Sequence, residues 1–201
     1  MRFFRFCRAL CWLIARILFR FRVEGAENLP ASGRAVLVAN HTKDIDPGII
    51  AAAVRRPFHA VAKKELFDKP VAAFFLRHLG AISVDRRQPG ASAFSEMLKV
   101  LDNEGQLLIF PEGTRVADQS RQLRHLKAGA VMACQLGQAP MIPIIISAPR
   151  GIKFRRPVTV RIGKPIACSE FPAGENHAAH RDGCRLMQQR MIALREGKEN
   201  V

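Results

Sequence analysis

Short aliphatic runs alternate with helix-forming segments from Gly25 to the end of the chain, and this alternation limits the fold more than any other feature. It is the pattern of an α/β domain, in which strands and helices follow one another along the sequence. The predicted strands are 35–39, 58–62, 81–84, 107–110, 141–146 and 158–162. The predicted helices are 47–54, 71–79, 91–103, 127–136 and 175–195. We therefore expect residues 25–201 to form one domain, a single mixed sheet flanked by helices.

Residues 1–24 are a separate amphipathic segment that precedes this domain. On a helical wheel of about 100° per residue, its arginines fall within an arc of roughly 160°. The opposite side is apolar and carries Phe3, Phe6, Leu10, Leu13, Ile14, Ile17, Leu18 and Phe21. Arg16 interrupts the apolar run before the roughly 20 apolar residues that a membrane-spanning helix needs. The pattern predicts a helix lying at the membrane interface; the alternative is a helix that packs on the protein's own core.

The formal net charge of +15 indicates an anionic partner, such as a membrane surface, a nucleic acid or a phosphorylated metabolite. Nucleic acid is disfavoured, because the arginines of the first segment alternate with a continuous apolar face. The five cysteines include no CxxC pair, which disfavours a zinc or redox site and favours a reducing compartment. We therefore expect a peripheral or monotopic protein on the cytoplasmic face of the inner membrane, with anionic lipids as one partner.

His41 and Asp46 lie just after the first predicted strand, in a segment that runs from Asn40 to Pro47. Their spacing places them about 140° apart on an ideal helix and on opposite faces of an ideal strand. They can meet only across a tight turn, and a strand that ends at Asn40 followed by a helix that begins near Pro47 provides one. The alternatives are that Asp46 is an ordinary N-cap and that His41 is an ordinary surface histidine.

A histidine held by a carboxylate can act as a general base, because the carboxylate fixes the ring and stabilises its protonated form. The sequence has neither a GxSxG elbow nor a cysteine near this segment to serve as the nucleophile. The base is therefore expected to act on a hydroxyl of the substrate. A metal site is not expected, because there is no HExxH and no second histidine nearby.

Four motifs in this chain, taken in order, resemble those of the glycerolipid acyltransferase family, whose best-known members acylate 1-acylglycerol 3-phosphate. The first is NHxxxxD, formed by Asn40, His41 and Asp46, and the others are residues 80–86, 110–115 and 141–144. The resemblance implies that His41 deprotonates the 2-hydroxyl of the acceptor and that Asp46 orients His41. The hydroxyl would attack an acyl thioester of coenzyme A or acyl carrier protein, giving phosphatidate without a metal or a further cofactor.

The resemblance also implies a site for the phosphate of the acceptor, formed by Arg86, Glu112, Gly113, Thr114 and Arg115. Guanidinium groups suit this role because their planar forks bind two phosphate oxygens at once. We expect Lys127 and Lys63 to add positive charge to it. Lys43 and Asp44 depart from the family pattern, in which small or hydroxyl residues are common. The resemblance therefore does not define the detailed shape of the acceptor pocket.

Two other interpretations of the sequence remain. In one, the same chemistry acts on glycerol 3-phosphate or on a lyso-ornithine lipid. In the other, the chain is a noncatalytic basic protein that binds membranes. The choice between the two acyl donors, the chain length of the acyl group and the oligomeric state are left open by the sequence.

Overall fold

The computed structural model describes residues 2–85, 91–116, 123–149, 151–174 and 176–198. Its α-helices are α1 (Arg2–Leu18), α2 (Asp46–Ala53), α3 (Pro70–His78), α4 (Ala91–Asp102), α5 (Gly129–Leu136) and α6 (His177–Glu196). Its strands are β1 (Arg20–Glu24), β2 (Ala35–Ala39), β3 (His59–Lys63), β4 (Ile82–Val84), β5 (Gln106–Ile109), β6 (Met141–Ser147) and β7 (Pro157–Ile162). Short 3-10 helices occur at Ala26–Asn28, Lys64–Leu66 and Cys168–Glu170.

The seven strands form one sheet in the order β1-β7-β6-β2-β5-β3-β4. β2, β3, β4, β5 and β6 run parallel to one another, whereas β7 is antiparallel to β6 and carries β1 parallel to itself at the edge. This confirms the predicted α/β class with a single mixed sheet. The central strands β2 and β5 are buried along their whole length, because helices cover both faces of the sheet.

Two hydrophobic cores lie on opposite faces of the sheet. α4, α5 and α6 supply one of them, in which Leu101, Val131 and Met187 are buried. α1 and α2 supply the other, with Phe4, Ala15 and Ile50 buried. β2 contributes to both, since its alternate side chains point to opposite faces.

The N-terminal helix ends at Leu18, earlier than the predicted boundary at residue 24. Residues Arg20–Glu24 instead form the edge strand β1, which pairs with β7. The physical reason is that side chains here alternate between buried and exposed, as they do in a strand: Phe21 is buried, whereas Arg20 and Arg22 on either side are exposed. Two of the six N-terminal arginines therefore belong to the sheet and not to the helix.

α1 packs on α2 with a narrow stripe of its surface. Phe4 and Ala15 are buried there, and the Nε atom of Arg8 donates a hydrogen bond to the carbonyl oxygen of Val54, 3.1 Å away. The wide apolar face points away from the protein, and its exposed members are Phe6, Leu10, Leu13, Ile14, Ile17 and Leu18. Packing on the protein's own core therefore leaves these six side chains uncovered. Among the described helices, none combines the length and apolarity that crossing a membrane requires.

Candidate active site

Two loops at the same edge of the sheet bring the sequence motifs together. The base loop, residues 40–46, follows β2, and the acceptor loop, residues 110–116, follows β5, its parallel neighbour in the sheet. The carboxyl ends of parallel strands are where α/β folds place ligand sites. The backbone N–H of Val116 donates to the carbonyl oxygen of His41 at 2.7 Å, which ties the two loops to each other.

Asn40 anchors the beginning of the base loop. Its side chain is buried and exchanges two hydrogen bonds with the backbone of Ile146 in β6, at 2.8 and 3.1 Å. A buried amide satisfied in this way fixes the point at which the chain leaves the sheet.

The base loop turns back on itself so that Nδ1 of His41 lies 3.0 Å from Oδ2 of Asp46. Asp46 is fully buried and also accepts hydrogen bonds from the backbone N–H groups of Thr42 and Lys43. It begins α2 without capping that helix, because its carboxylate faces the preceding loop. The alternative interpretation of Asp46 as an ordinary N-cap is therefore wrong. Since Asp46 engages Nδ1, Nε2 is the ring nitrogen of His41 that can take up a proton.

Phe110 holds the other side of the histidine ring. Its ring stacks on His41 with the centroids 4.2 Å apart and the planes inclined by 24°. The His41 side chain is 14% exposed, so it reaches solvent through a narrow opening. The ring is fixed by a hydrogen bond at its edge and by a stack on its face, which suits a base that must keep one orientation.

Gly113 and Lys127 meet at a tight turn in the acceptor loop. The N–H of Gly113 donates to the carbonyl oxygen of Phe110 at 3.0 Å, and Gly113 has a left-handed φ of 68°. A Cβ at this position would lie 2.7 Å from Cε of Lys127, so only glycine allows the lysine side chain to approach. The turn thus places the positively charged side chain of Lys127 against the backbone of Gly113.

Glu112 lies in the same turn and is 7% exposed. Within the described residues, no hydrogen bond of normal length and angle reaches either of its carboxylate oxygens, although the backbone amides of His41 and Leu123 lie nearby. Burial raises the pKa of Glu112 to about 7; the nearby backbone amides of His41 and Leu123 oppose this rise, and the charge of Asp46 adds to it. At neutral pH this side chain therefore exists in both protonated and ionised forms.

The remaining predicted residues are spread along this edge of the sheet. Arg115 is exposed, and one of its guanidinium nitrogens lies 2.6 Å from Oδ2 of Asp44 in the base loop. Thr114 is exposed beside it. Lys63, at the end of β3, forms an ion pair of 2.7 Å with Glu65. Arg86 lies outside the described residues, so its predicted role stays a prediction.

Two contacts at the site were not predicted from the sequence. Phe110 belongs to the third motif, but nothing in its local sequence indicates a stack on His41. The pair between Asp44 and Arg115 joins residues that are 71 positions apart. The only sign of this pair in the sequence was the presence of charged residues, Lys43 and Asp44, within the first motif. In the part of the chain that the structure describes, no three His, Cys, Asp or Glu side chains are grouped as metal ligands would be.

Comparison with known proteins identifies similar sequences over most of the chain. A sequence model of the Acyltransferase family matches residues 20–147. A protein named 1-acyl-sn-glycerol-3-phosphate acyltransferase from Bacillus subtilis is 32% identical over 185 residues, which cover 88% of this chain and 90% of that protein. A protein of the same name from Streptococcus pneumoniae is 31% identical, with 68% of this chain and 51% of that protein covered. The chain therefore spans about half the length of some relatives and nearly all of another.

A solved structure shares the fold. The crystal structure of the 1-acyl-sn-glycerophosphate (LPA) acyltransferase PlsC from Thermotoga maritima superposes with a TM-score of 0.74 and 21% sequence identity. The superposition covers 100% of this chain and 80% of that one. The family resemblance predicted from the four motifs is confirmed, and so is the expectation that the chain is an acyltransferase.

Proposed function

Since this chain belongs to the acyltransferase family, we propose that it transfers a fatty acyl group from a thioester to the 2-hydroxyl of 1-acylglycerol 3-phosphate, giving phosphatidate. The acceptor is taken from the names of the similar proteins. The observation that carries the chemistry is the pair formed by His41 and the buried Asp46, whose side chains are 3.0 Å apart.

In the proposed reaction, Nε2 of His41 removes the proton of the acceptor hydroxyl as its oxygen attacks the thioester carbonyl. The tetrahedral intermediate then collapses: the new ester bond remains, the carbon–sulfur bond breaks, and the thiolate leaves with the proton that His41 returns. The negative charge of Asp46 stabilises the imidazolium that forms between these steps. Both coenzyme A and acyl carrier protein could supply this thiolate, so either is a candidate donor.

The acceptor loop is the proposed phosphate site. Arg115 is exposed in this loop, and the side chain of Lys127 packs against its residue Gly113. A phosphate bound to these cations would place its glycerol next to His41, because Val116 joins the loop to the carbonyl of His41. Arg86 and Lys63 are proposed to add further charge, and the N–H groups around Gly113 are proposed to face the developing oxyanion. Thr114 would contribute its hydroxyl at the same edge.

The exposed apolar face of α1 is the proposed membrane contact. Phe6 is 66% exposed and Ile17 is 60% exposed, on the side of the helix that faces away from α2. Arg5 and Arg16 are exposed next to this face, and the first acidic residue of the chain is Glu24. Arginines beside an apolar stripe suit the boundary between anionic headgroups and acyl chains. This contact would bring a membrane-dissolved acceptor to the protein on the cytoplasmic face of the membrane.

The catalytic part of the proposal is tested by acyl transfer to labelled 1-acylglycerol 3-phosphate with each thioester donor in turn. His41→Ala should lower kcat by about 10²–10⁴-fold. His177→Ala, at the first residue of α6, is the matched control and should leave kcat unchanged. If His41→Ala retained full activity, the chain would have to act without this base. A panel with glycerol 3-phosphate and a lyso-ornithine lipid identifies the acceptor.

The membrane part is tested with two leucines that lie on different faces of the protein. Leu10 in α1 and Leu136 in α5 are both 45% exposed, so each can be replaced by serine at similar cost to the fold. Leu10→Ser should weaken sedimentation with anionic vesicles about five-fold, which corresponds to about 1 kcal/mol of apolar burial. Leu136→Ser should leave it unchanged. Equal binding by both variants would show that α1 does not face the membrane.

A further inference from the structure

We propose that the carboxylate of Asp44 competes with the phosphate of the acceptor for Arg115. In the free protein this carboxylate binds the guanidinium of Arg115, and the acceptor displaces it. This inference rests on the proposed function, because it takes Arg115 as a phosphate ligand. It assigns a role to a residue at which the chain departs from the pattern of the family motif. Asp44 would determine how tightly phosphorylated molecules bind, without taking part in acyl transfer.

The geometry places the competing carboxylate at the mouth of the site. Oδ2 of Asp44 lies 2.6 Å from a guanidinium nitrogen of Arg115, in a contact between the base loop and the acceptor loop. The two side chains are 77% and 57% exposed, so the pair is accessible to a headgroup that binds at this edge of the sheet. A carboxylate and a phosphate present similarly spaced oxygens to a guanidinium fork, and only one of them can fill it.

Asp44 is not needed to hold the base loop. Asp46, two residues further on, is fully buried and accepts hydrogen bonds from the backbone N–H groups of Thr42 and Lys43, so the turn is held without the carboxylate of Asp44. Exposed ion pairs contribute little to stability, typically about 0–1 kcal/mol. Asp44 can therefore swing away from Arg115 at small cost when a dianionic phosphate arrives.

The consequence is a weaker affinity for every ligand that uses Arg115. Free phosphate and soluble phosphate esters have few other contacts to make, so competition keeps them off the site. A lysolipid held at the membrane has the additional contribution of its acyl chain, and it can overcome the same competition. Asp44 thus makes occupancy of the site depend more strongly on the lipid part of the acceptor.

A positioning role for Asp44 predicts the opposite outcome. If the carboxylate served to orient Arg115 towards the phosphate, its loss would weaken binding and raise KM. Under competition, its loss strengthens binding and lowers KM. The sign of one measured change therefore separates the two roles.

The experiment compares Asp44→Asn with Glu170→Gln. Glu170 forms an ion pair of the same 2.6 Å length with Arg190. It lies shortly after Ile166, which bridges to Met141 at the start of β6. This is the opposite end of β6 from the site. Asp44→Asn should lower both the KM for 1-acylglycerol 3-phosphate and the inhibition constant of inorganic phosphate by about two- to five-fold, with kcat unchanged. Glu170→Gln should change neither constant. Unchanged or raised constants in Asp44→Asn would overturn the proposal.

The same variants separate this proposal from the proposed function. If the wild-type protein acylated none of the acceptors, the proposed function would fail, and competition would still be measured by titrating each protein with glycerol 3-phosphate in a calorimeter. Tighter binding to Asp44→Asn supports competition. In an Arg115→Ala background, Asp44→Asn should have no effect, because the pair no longer exists. An equal gain in that background would show a general charge effect and would exclude competition for Arg115.

Discussion

The base loop and the acceptor loop follow neighbouring strands, but the polar side chains of the two loops differ in how many hydrogen bonds they form within the protein. In the base loop, the buried carboxylate of Asp46 accepts hydrogen bonds from His41, Thr42 and Lys43. In the acceptor loop, no hydrogen bond of normal geometry reaches the buried carboxylate of Glu112 within the described residues, and Arg115 forms an exposed pair with Asp44. One loop is complete without a substrate, whereas the other retains unused hydrogen-bonding capacity.

This difference corresponds to a division of labour. A general base must have its geometry set before the substrate arrives, since small errors in orientation reduce the rate steeply. A binding loop gains from groups whose best partners are supplied by the ligand, because an unsatisfied polar group is stabilised most when the ligand pairs with it. The comparison predicts that substitutions of the paired His41 and Asp46 in the base loop lower kcat, and that substitutions in the acceptor loop change binding and pH dependence.

The largest effect is expected from Asp46→Asn. The amide keeps the size of the side chain but loses the charge that stabilises protonated His41, so kcat should fall by about 10²–10⁴-fold. Steady-state kinetics of acyl transfer measure this change. Asp44→Asn, the same substitution two residues earlier on an exposed side chain, is the matched control and should keep the wild-type kcat. Equal losses of kcat in the two variants would show that the buried carboxylate of Asp46 matters no more for catalysis than the exposed carboxylate of Asp44.

A smaller, pH-dependent effect is expected from Glu112→Gln. Burial raises the pKa of Glu112 to about 7, so the contribution of this group to stability is complete below its unfolded pKa and is lost as pH rises through about 7. Glu112→Gln cannot ionise, so it should gain about 2–3 kcal/mol of unfolding free energy relative to the wild type between pH 5 and pH 8. Urea unfolding at the two pH values measures the gain.

The result for Glu112 is read against an exposed acid. Glu170→Gln removes an exposed carboxylate, so it controls for the loss of an acidic group without burial over the same pH range. If Glu112→Gln behaved in the same way, Glu112 would be paired in solution. The acceptor loop would then be as complete as the base loop, contrary to the comparison.

Most of the fold could be predicted because its elements are marked by local periodicity. β2 and β5 are short aliphatic runs buried on both faces, and α4 carries the spacing of a helix packed on one side. β1 was missed because its five residues continue the arginine and phenylalanine pattern of α1. Pairing with β7, which is more than a hundred residues away, decides its conformation. An edge strand defined by a distant partner has no local signal strong enough to separate it from the preceding helix.

At the site, the sequence predicted those contacts that depend on a single turn. His41 and Asp46 meet because a strand end and a helix start lie between them, and both events have local signals. The stack of Phe110 on His41 and the pair between Asp44 and Arg115 depend on β2 being next to β5. Sheet order is a property of the whole domain, so these contacts could not be read from either segment alone.

The smallest effect concerns Gln106, at the start of the same strand that leads into the acceptor loop. Its side chain is fully buried, and within the described residues neither of its amide atoms has a partner, so β5 has an unpaired polar group near each end. Gln106 lines a cavity of about 350 Å³ with Glu27 and Arg55 among its walls, next to the carboxyl end of α2.

If buried polar groups without hydrogen bonds serve binding only at the acceptor loop, Gln106→Met should stabilise the protein by about 1 kcal/mol. Methionine has a similar shape to glutamine and no amide group that needs hydrogen bonds. Thermal and urea unfolding would show the gain, and acyl transfer should be unchanged. Destabilisation by Gln106→Met would instead show that water or a ligand pairs with this amide, and incomplete pairing would then no longer distinguish the acceptor loop from the rest of the sheet.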